Sequence, residues 1–282
     1  MELWSSLISA LPFSWTEFSF MHNALLAIII ISPLFAMLGC MIVSSRMAFF
    51  SDAIGHSGLT GIAIGAILGL TQPLWAMIVF SLFLAVAITW LRRNSGSSSD
   101  SVIGIVMAFT VSVGIVILSR NGGFSRYSSF LIGDILSING SDIALIFVVF
   151  LLFIVCWIFF FNKLLLVTVN TSLARSRNIP VWLTEGIFAA ITALIVTLSI
   201  QWIGILIINA LLILPAAASR NIAKSTAEYV RLSVIISLLS CVSGLISSFY
   251  LSTATGATIV IFAMFFYVVT TVIRILRSKN HG

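Results

Sequence analysis

Ile143-Ala144-Leu145-Ile146-Phe147-Val148-Val149-Phe150-Leu151-Leu152-Phe153-Ile154-Val155-Cys156-Trp157-Ile158-Phe159-Phe160-Phe161 runs for nineteen residues without a charged or hydroxyl side chain. A helix on the surface of a soluble protein keeps a polar face, visible as polar residues recurring every three or four positions. This run has no such face. Its length approaches the roughly 20 residues a helix needs to cross the hydrocarbon core of a bilayer. The run does not alternate, as the strands of a transmembrane barrel do. An open strand in lipid would leave its backbone groups unpaired. The stretch therefore predicts a membrane-spanning helix and an all-α chain.

The rest of the 282 residues agrees: 60% are apolar, only 8% are charged and mean hydropathy is +1.21. Soluble domains carry about a quarter charged residues, so this chain has too few to cover a water-facing surface, and it is far too apolar for disorder. The net charge of +6 does not point to nucleic acid, because the Lys and Arg residues are scattered between apolar blocks instead of gathered on one face. Cys40, Cys156 and Cys241 lie singly within apolar runs, which suggests neither a disulfide framework nor a zinc knuckle. The first twenty residues hold Glu2 and Glu17 but no Lys or Arg, so no cleavable signal peptide is expected. Trp4, Pro12 and Trp15 give this stretch an interfacial character.

Apolar runs fall at 20–44, 53–70, 73–91, 102–119, 142–161, 182–200, 203–218, 232–251 and 256–276. The runs 53–70 and 203–218 are marginal spans, either of which could be broken. The expectation is a polytopic protein of eight or nine transmembrane helices, 1–282 forming a single transmembrane domain. Twelve of the fourteen basic residues form five groups on one side of these spans: Arg46; Arg92 and Arg93; Lys163, Arg175 and Arg177; Arg220, Lys224 and Arg231; Arg274, Arg277 and Lys279. The positive-inside rule makes that side cytoplasmic. Arg120 and Arg126 share an external loop with Asp134 and Asp142. The C-terminus is then cytoplasmic, and the N-terminus is external with nine spans or cytoplasmic with eight.

Two cytoplasmic loops stand out. Arg92–Ser101 reads as a flexible Gly/Ser connector. The longer 162–180 segment carries Asn170-Thr171-Ser172 before Leu173-Ala174-Arg175, an N-cap leading into a short helix. A basic helix there suits either a docking surface for a soluble partner or an interfacial helix lying on anionic membrane lipid.

Ionisable side chains within spans are costly and face a partner or a wet cavity. Asp52 and His56 are the notable pair, at i,i+4 spacing on one face of the second span. A carboxylate oxygen and an imidazole nitrogen so placed reach one divalent ion. Two ligands are too few for a closed site, but a two-fold dimer supplies four, and a transit site is best left weak so that the ion can leave. The plainer alternative has Asp52 capping the helix and His56 satisfying a carbonyl. His22 lies at the edge of the first span and His281 at the tail, and neither resembles a ligand. Gly55, Gly58, Gly61 and Gly65 follow the pair and allow close helix approach or a bend. Glu185 opens the sixth span, where it complements the helix dipole, and Glu228 reads as solvated. No phosphate-binding loop, GxSxG or HExxH occurs, so the chain is not expected to be an enzyme.

The stretch Arg46-Met47…Ser51-Asp52-Ala53-Ile54-Gly55-His56-Ser57-Gly58-Leu59-Thr60-Gly61-Ile62-Ala63 resembles the matching segment of the permease subunits of zinc/manganese ABC importers. Ile203-Gly204-Ile205-Leu206 through Asn209-Ala210-Leu211-Leu212-Ile213-Leu214-Pro215-Ala216-Ala217-Ala218 is similar to a second block of that family, and Thr255-Gly256-Ala257-Thr258-Ile259-Val260 to the opening of its last helix. Ser51 replaces a frequent Gly, Asn178 stands near the Gly that often ends the coupling helix, and Ser252 lies where many members carry Asp or Asn.

The resemblance implies a cobalamin-importer-like permease in the bacterial cytoplasmic (inner) membrane, acting as a homodimer. Cytoplasmic ABC ATPase subunits hydrolyse ATP, and an extracytoplasmic solute-binding protein delivers the ion. It implies a metal passage site at Asp52 and His56. It also implies ATPase coupling through the 162–180 loop, at Ser172, Leu173, Ala174, Arg175 and Arg177. The cargo would be zinc or manganese, with iron as a further option, and no cofactor would be permanently bound. A proton-coupled secondary metal transporter is the alternative.

Overall fold

The computed structural model describes residues 12–70, 72–120, 133 and 135–279, together with Trp4 and Ile8. Glu2, Arg126, Asp134 and His281, all named above, lie outside the described residues. Among the described residues there is no strand. A 3-10 turn at Ser14–Glu17 precedes α1 (Ser19–Ser44), α2 (Phe50–Ile67), α3 (Pro73–Asn94) and α4 (Ser99–Arg120). A second 3-10 turn at Ile135–Ser137 leads to α5 (Gly140–Val169), α6 (Thr171–Ser176), α7 (Val181–Ile203), α8 (Ile205–Arg220), α9 (Thr226–Leu251) and α10 (Thr255–Lys279).

Seven of these, α1, α3, α4, α5, α7, α9 and α10, are long and apolar enough to cross a membrane. The marginal runs became α2 and α8. The 18 residues of α2 include Asp52, His56 and four glycines, which lower its hydropathy, and α8 has only 16 residues. Helix ends follow local chemistry. Pro73 opens α3, where its missing N–H costs nothing. Asn139 accepts from the Asp142 backbone N–H at 3.1 Å while the Asp142 carboxylate accepts from the Asn139 N–H at 3.1 Å, a reciprocal cap on α5. Ser225 and Glu228 cap α9 in similar fashion. The Ser225 hydroxyl accepts from the Glu228 N–H at 3.2 Å, and the Glu228 carboxylate accepts from the Lys224 N–H at 2.8 Å. Glu228, read as solvated, thus has a structural task.

The chain resolves into two compact units. The first comprises Met1–Cys40, Asp134–Ile154 and Asn209–Gly282; the second comprises Met41–Gly133 and Val155–Ile208. In the first, α9 and α10 form a hairpin whose turn places Ser252 in the left-handed region at φ 51°. A Cβ on Gly244 would stand 2.5 Å from the Ile259 Cα, so glycine is what lets these two helices meet. Ser233 and Ser237 on α9 donate to the carbonyls of Ala36 (3.3 Å) and Ser32 (3.1 Å) on α1.

The second unit is built around α2, which packs against α3, α4 and α7. A Cβ at Gly61 would lie 2.8 Å from the Met77 Cα, and one at Gly65 2.8 Å from the Ala76 Cβ, so these glycines serve close approach of α3. Toward α4 the glue is polar. Thr60 donates to the Thr110 carbonyl at 2.6 Å, and the Ser57 and Thr110 hydroxyls meet at 2.6 Å. Thr110 already donates to the Val106 carbonyl at 2.8 Å, which leaves Ser57 as the donor between the two hydroxyls.

Candidate metal passage site

The site begins with the turn out of α1. Ser45, Arg46 and Met47 donate backbone N–H groups to the carbonyls of Met41, Val43 and Ile42, at 2.8, 3.3 and 3.0 Å. Arg46 takes a left-handed φ of 54°, which reverses the chain within a few residues. Met47 (3% exposed) and Phe50 (0%) are then buried and fix where α2 starts. Its N-cap, Phe49, supplies no side-chain cap, and Asp52 is the acidic residue of the first turn, where the positive end of the helix favours a carboxylate.

Thirteen of the eighteen residues of α2 are buried. Over its first two turns the only positions left uncovered are Asp52 and His56, 28% and 32% exposed. The packing around them explains the selection. A Cβ at Gly55 would meet the Ile205 side chain at 2.9 Å, and one at Gly58 would meet Met77 at 3.2 Å, so the rest of the helix circumference is closed. Asp52 Oδ1 lies 3.3 Å from His56 Nε2. The pair expected from i,i+4 spacing is therefore formed, on an open stripe of an otherwise covered helix. Beside it Ser51 is fully buried, and its hydroxyl has no hydrogen-bond partner among the described residues.

Among the described residues no group of three or more His, Cys, Asp or Glu side chains could hold a metal ion. Asp52 and His56 thus offer a carboxylate and an imidazole ligand. Both are borderline-hard donors suited to Zn²⁺, Mn²⁺ or Fe²⁺, and they are too few to trap any of these. His22 is occupied elsewhere: it is buried, with Nε2 2.7 Å from the Thr16 carbonyl. Ser252 forms the left-handed C-cap of α9.

The 162–180 segment divides differently from its sequence reading. Helix α5 continues to Val169 instead of ending at Phe161, because Leu164 and Val167 are buried and Thr168 hydrogen-bonds Ser45 at 3.2 Å. Asn170 then caps α6 by accepting from the Leu173 N–H at 3.0 Å, as its position predicted, and Asn178 takes the left-handed φ of 55° that a Gly often supplies. Of the residues expected to couple to an ATPase, Ala174 is buried, while Ser172, Leu173, Arg175 and Arg177 are exposed. Arg175 lines a cavity of about 770 Å³ together with Arg92, Arg93 and Glu185. Sequence reading missed this cavity, since nothing in the spacing of these residues announces that they meet.

The ABC 3 transport family matches residues 17–274 of the chain. The chain belongs to that family. Within the ABC 3 family, the high-affinity zinc uptake system membrane protein ZnuB of Haemophilus influenzae is 36% identical over 255 residues, covering 90% of this chain and 97% of that protein. The manganese import system permease protein ScaB of Streptococcus parasanguinis is 29% identical over 266 residues, 94% of each chain. The solved structure of PsaBC from Streptococcus pneumoniae in complex with Fab superposes with a TM-score of 0.77 at 27% identity, covering 96% of this chain and 95% of that one. The ABC 3 member described here is accordingly a multi-pass protein of the inner membrane, and a transport component.

Proposed function

We propose that this chain is the permease of an ATP-driven importer that carries a divalent transition metal, zinc or manganese with iron as a further option, across the cytoplasmic membrane by alternating access. The observation that carries the proposal is the open stripe of α2, where the only uncovered side chains of the first two turns are a carboxylate and an imidazole in contact. Asp52 and His56 line the passage and replace part of the ion's hydration shell. Two copies of the chain, related by a two-fold axis, bring two such pairs to one path, and neither pair alone holds the ion long. The ion is cargo, and no cofactor is needed for this step.

ATP hydrolysis belongs to separate cytoplasmic ATPase subunits. They engage the chain through the segment that holds Ser172, Leu173, Ala174, Arg175 and Arg177, with the exposed Leu173 and Arg177 making the contact itself. An extracytoplasmic solute-binding protein delivers the metal. The zinc and manganese importers among the relatives support this reading. It is tested by radiometal uptake into proteoliposomes holding the permease with its ATPase. Asp52→Ala and His56→Ala should each reduce uptake by about 100-fold or more, since disturbing even an outer-shell partner of a metal ligand costs 10–100-fold. Both variants must still bind the ATPase. Normal uptake by both would remove the site assignment, and uptake by the chain alone under a pH gradient would favour proton coupling.

A further inference from the structure

The cavity beside α6 has no part in the passage of metal proposed above. It lies where three membrane-related ends meet: the last turn of α3, which holds Arg92 and Arg93, the start of α4 at Ser99, and the segment from α6 into the first turns of α7. Arg92 is partly buried and donates from Nε to the Ser99 hydroxyl at 3.1 Å, which orients its guanidinium. The lining residues include three guanidiniums, of Arg92, Arg93 and Arg175, against the one carboxylate of Glu185. Asp100 also acts on Arg92 but does not line the cavity. The site therefore keeps an excess of positive charge with the Arg92 guanidinium oriented, which is the chemistry of an anion site.

Its other wall is apolar. Trp182 and Leu183 line the same cavity, 46% and 49% exposed, at the first turn of a helix long and apolar enough to cross the membrane. A cationic floor beside an exposed Trp at the end of a spanning helix is the boundary between hydrocarbon and headgroups. We infer that this cavity binds the phosphodiester headgroup of an anionic phospholipid, with its acyl chains running along Trp182 and Leu183. A protein carboxylate would satisfy the charge but would leave the apolar wall uncovered, and a volume of about 770 Å³ is ample for a glycerol phosphate headgroup. The bound lipid would bridge α6 to the α3–α4 corner, because Arg175, Thr171 and Asn178 of the α6 segment all turn to this cavity while Leu173 and Arg177 do not line it. One short helix then presents a lipid face and a partner face.

The test reads lipid instead of uptake, so it stands apart from the metal site. The permease–ATPase complex is purified from nanodiscs of phosphatidylethanolamine with phosphatidylglycerol, and retained lipid is counted by native mass spectrometry. Phosphatidylglycerol should be retained in preference to phosphatidylethanolamine. Arg92→Gln and Arg175→Gln should each lower that preference by about five-fold. Arg175→Lys should retain most of it, and Arg277→Gln, outside the cavity, should leave it unchanged. Equal retention of the two lipids, or an unchanged preference in the Gln variants, would overturn the proposal. So would displacement of the lipid by millimolar glycerol phosphate, which would mark a site for a soluble phosphate. Should a Gln variant fail to assemble, Trp182→Ala tests the apolar wall: it should lower retention of both lipids, and unchanged retention would equally overturn the inference.

Discussion

Helices α5 and α2 invert the usual link between hydrophobicity and burial. The most apolar 18-residue stretch of α5 has a mean hydropathy of 3.3, yet only 17% of it is buried. In α2, which fails the hydropathy criterion for a span, thirteen of eighteen residues are covered by protein. The reason is the solvent. Lipid is as apolar as leucine, so hydrophobicity alone does not draw a side chain inward, and around α2 the close contacts are made by glycines that let backbones meet and hydroxyls that bond across helices. Between these two helices, the more apolar one is the less buried. A weak hydropathy signal marks the helix at the centre of its unit, and that helix holds the ionisable pair.

The sharpest way to break the contrast is to put a carboxylate on the other helix. Leu152 lies near the middle of the α5 apolar run and is 62% exposed. Leu152→Asp should cost about 3 kcal/mol of insertion free energy, read as a steep fall in membrane-integrated protein in a glycosylation-tagged insertion assay. Asp52 is tolerated where it is because it sits in a first helical turn against His56. Parental accumulation of Leu152→Asp would mean that this face of α5 does not meet hydrocarbon.

Next in size is the glycine contact. Gly61→Leu must push a side chain through the backbone of Met77, which an added Cβ alone would approach to 2.8 Å. Overpacking of this kind costs about 2 kcal/mol, measured as a lowered midpoint in reversible SDS unfolding. An unchanged midpoint would show that α2 and α3 can separate at no cost.

Much of this was legible in the chain. The apolar runs located the spans, and the two marginal ones are the two helices that fall outside the clear membrane-spanning set. The i,i+4 spacing of Asp52 and His56 foretold their contact, and Asn170 foretold α6. What the chain did not announce has physical causes. Asn162 and Lys163 interrupt the fifth apolar run after Phe161, but Lys163 lays its ammonium 5.8 Å from the Phe160 ring centre and lets the helix continue. Glu228 stays partly exposed and adds a cap that its spacing from Ser225 does not by itself announce. The cavity of Arg92, Arg93, Arg175 and Glu185 was invisible because those residues come from separate helices, and no period in the sequence relates them.

A smaller effect tests the polar contact between α2 and α4. Thr110→Val is nearly isosteric but removes the acceptor that Ser57 uses and the donor to the Val106 carbonyl. Hydroxyl bonds between spans contribute about 0.6 kcal/mol on average and about 1.7 at most, so a loss of about 1 kcal/mol is expected in the same unfolding assay. The Thr60 contact to the Thr110 carbonyl survives the change and limits the damage. A loss above 3 kcal/mol would mean that the hydroxyl pair, and not the small residues, holds α2 in place.

Phe159→Leu should do least. Phe159 is 69% exposed on α5, so its ring trades contacts with acyl chains in both the inserted helix and the folded unit. Replacing it with another lipid-like side chain changes neither state relative to the other, and the shift should stay within about 0.5 kcal/mol. A soluble protein treats burial of a phenylalanine as one of its larger stabilising terms, because water is the alternative; here the alternative is hydrocarbon and the term vanishes. A substantial loss in detergent, reproduced in lipid nanodiscs and dependent on protein concentration, would place Phe159 in a protein contact with a second copy, and the low burial of α5 would then describe an interface awaiting its partner instead of a face turned to lipid.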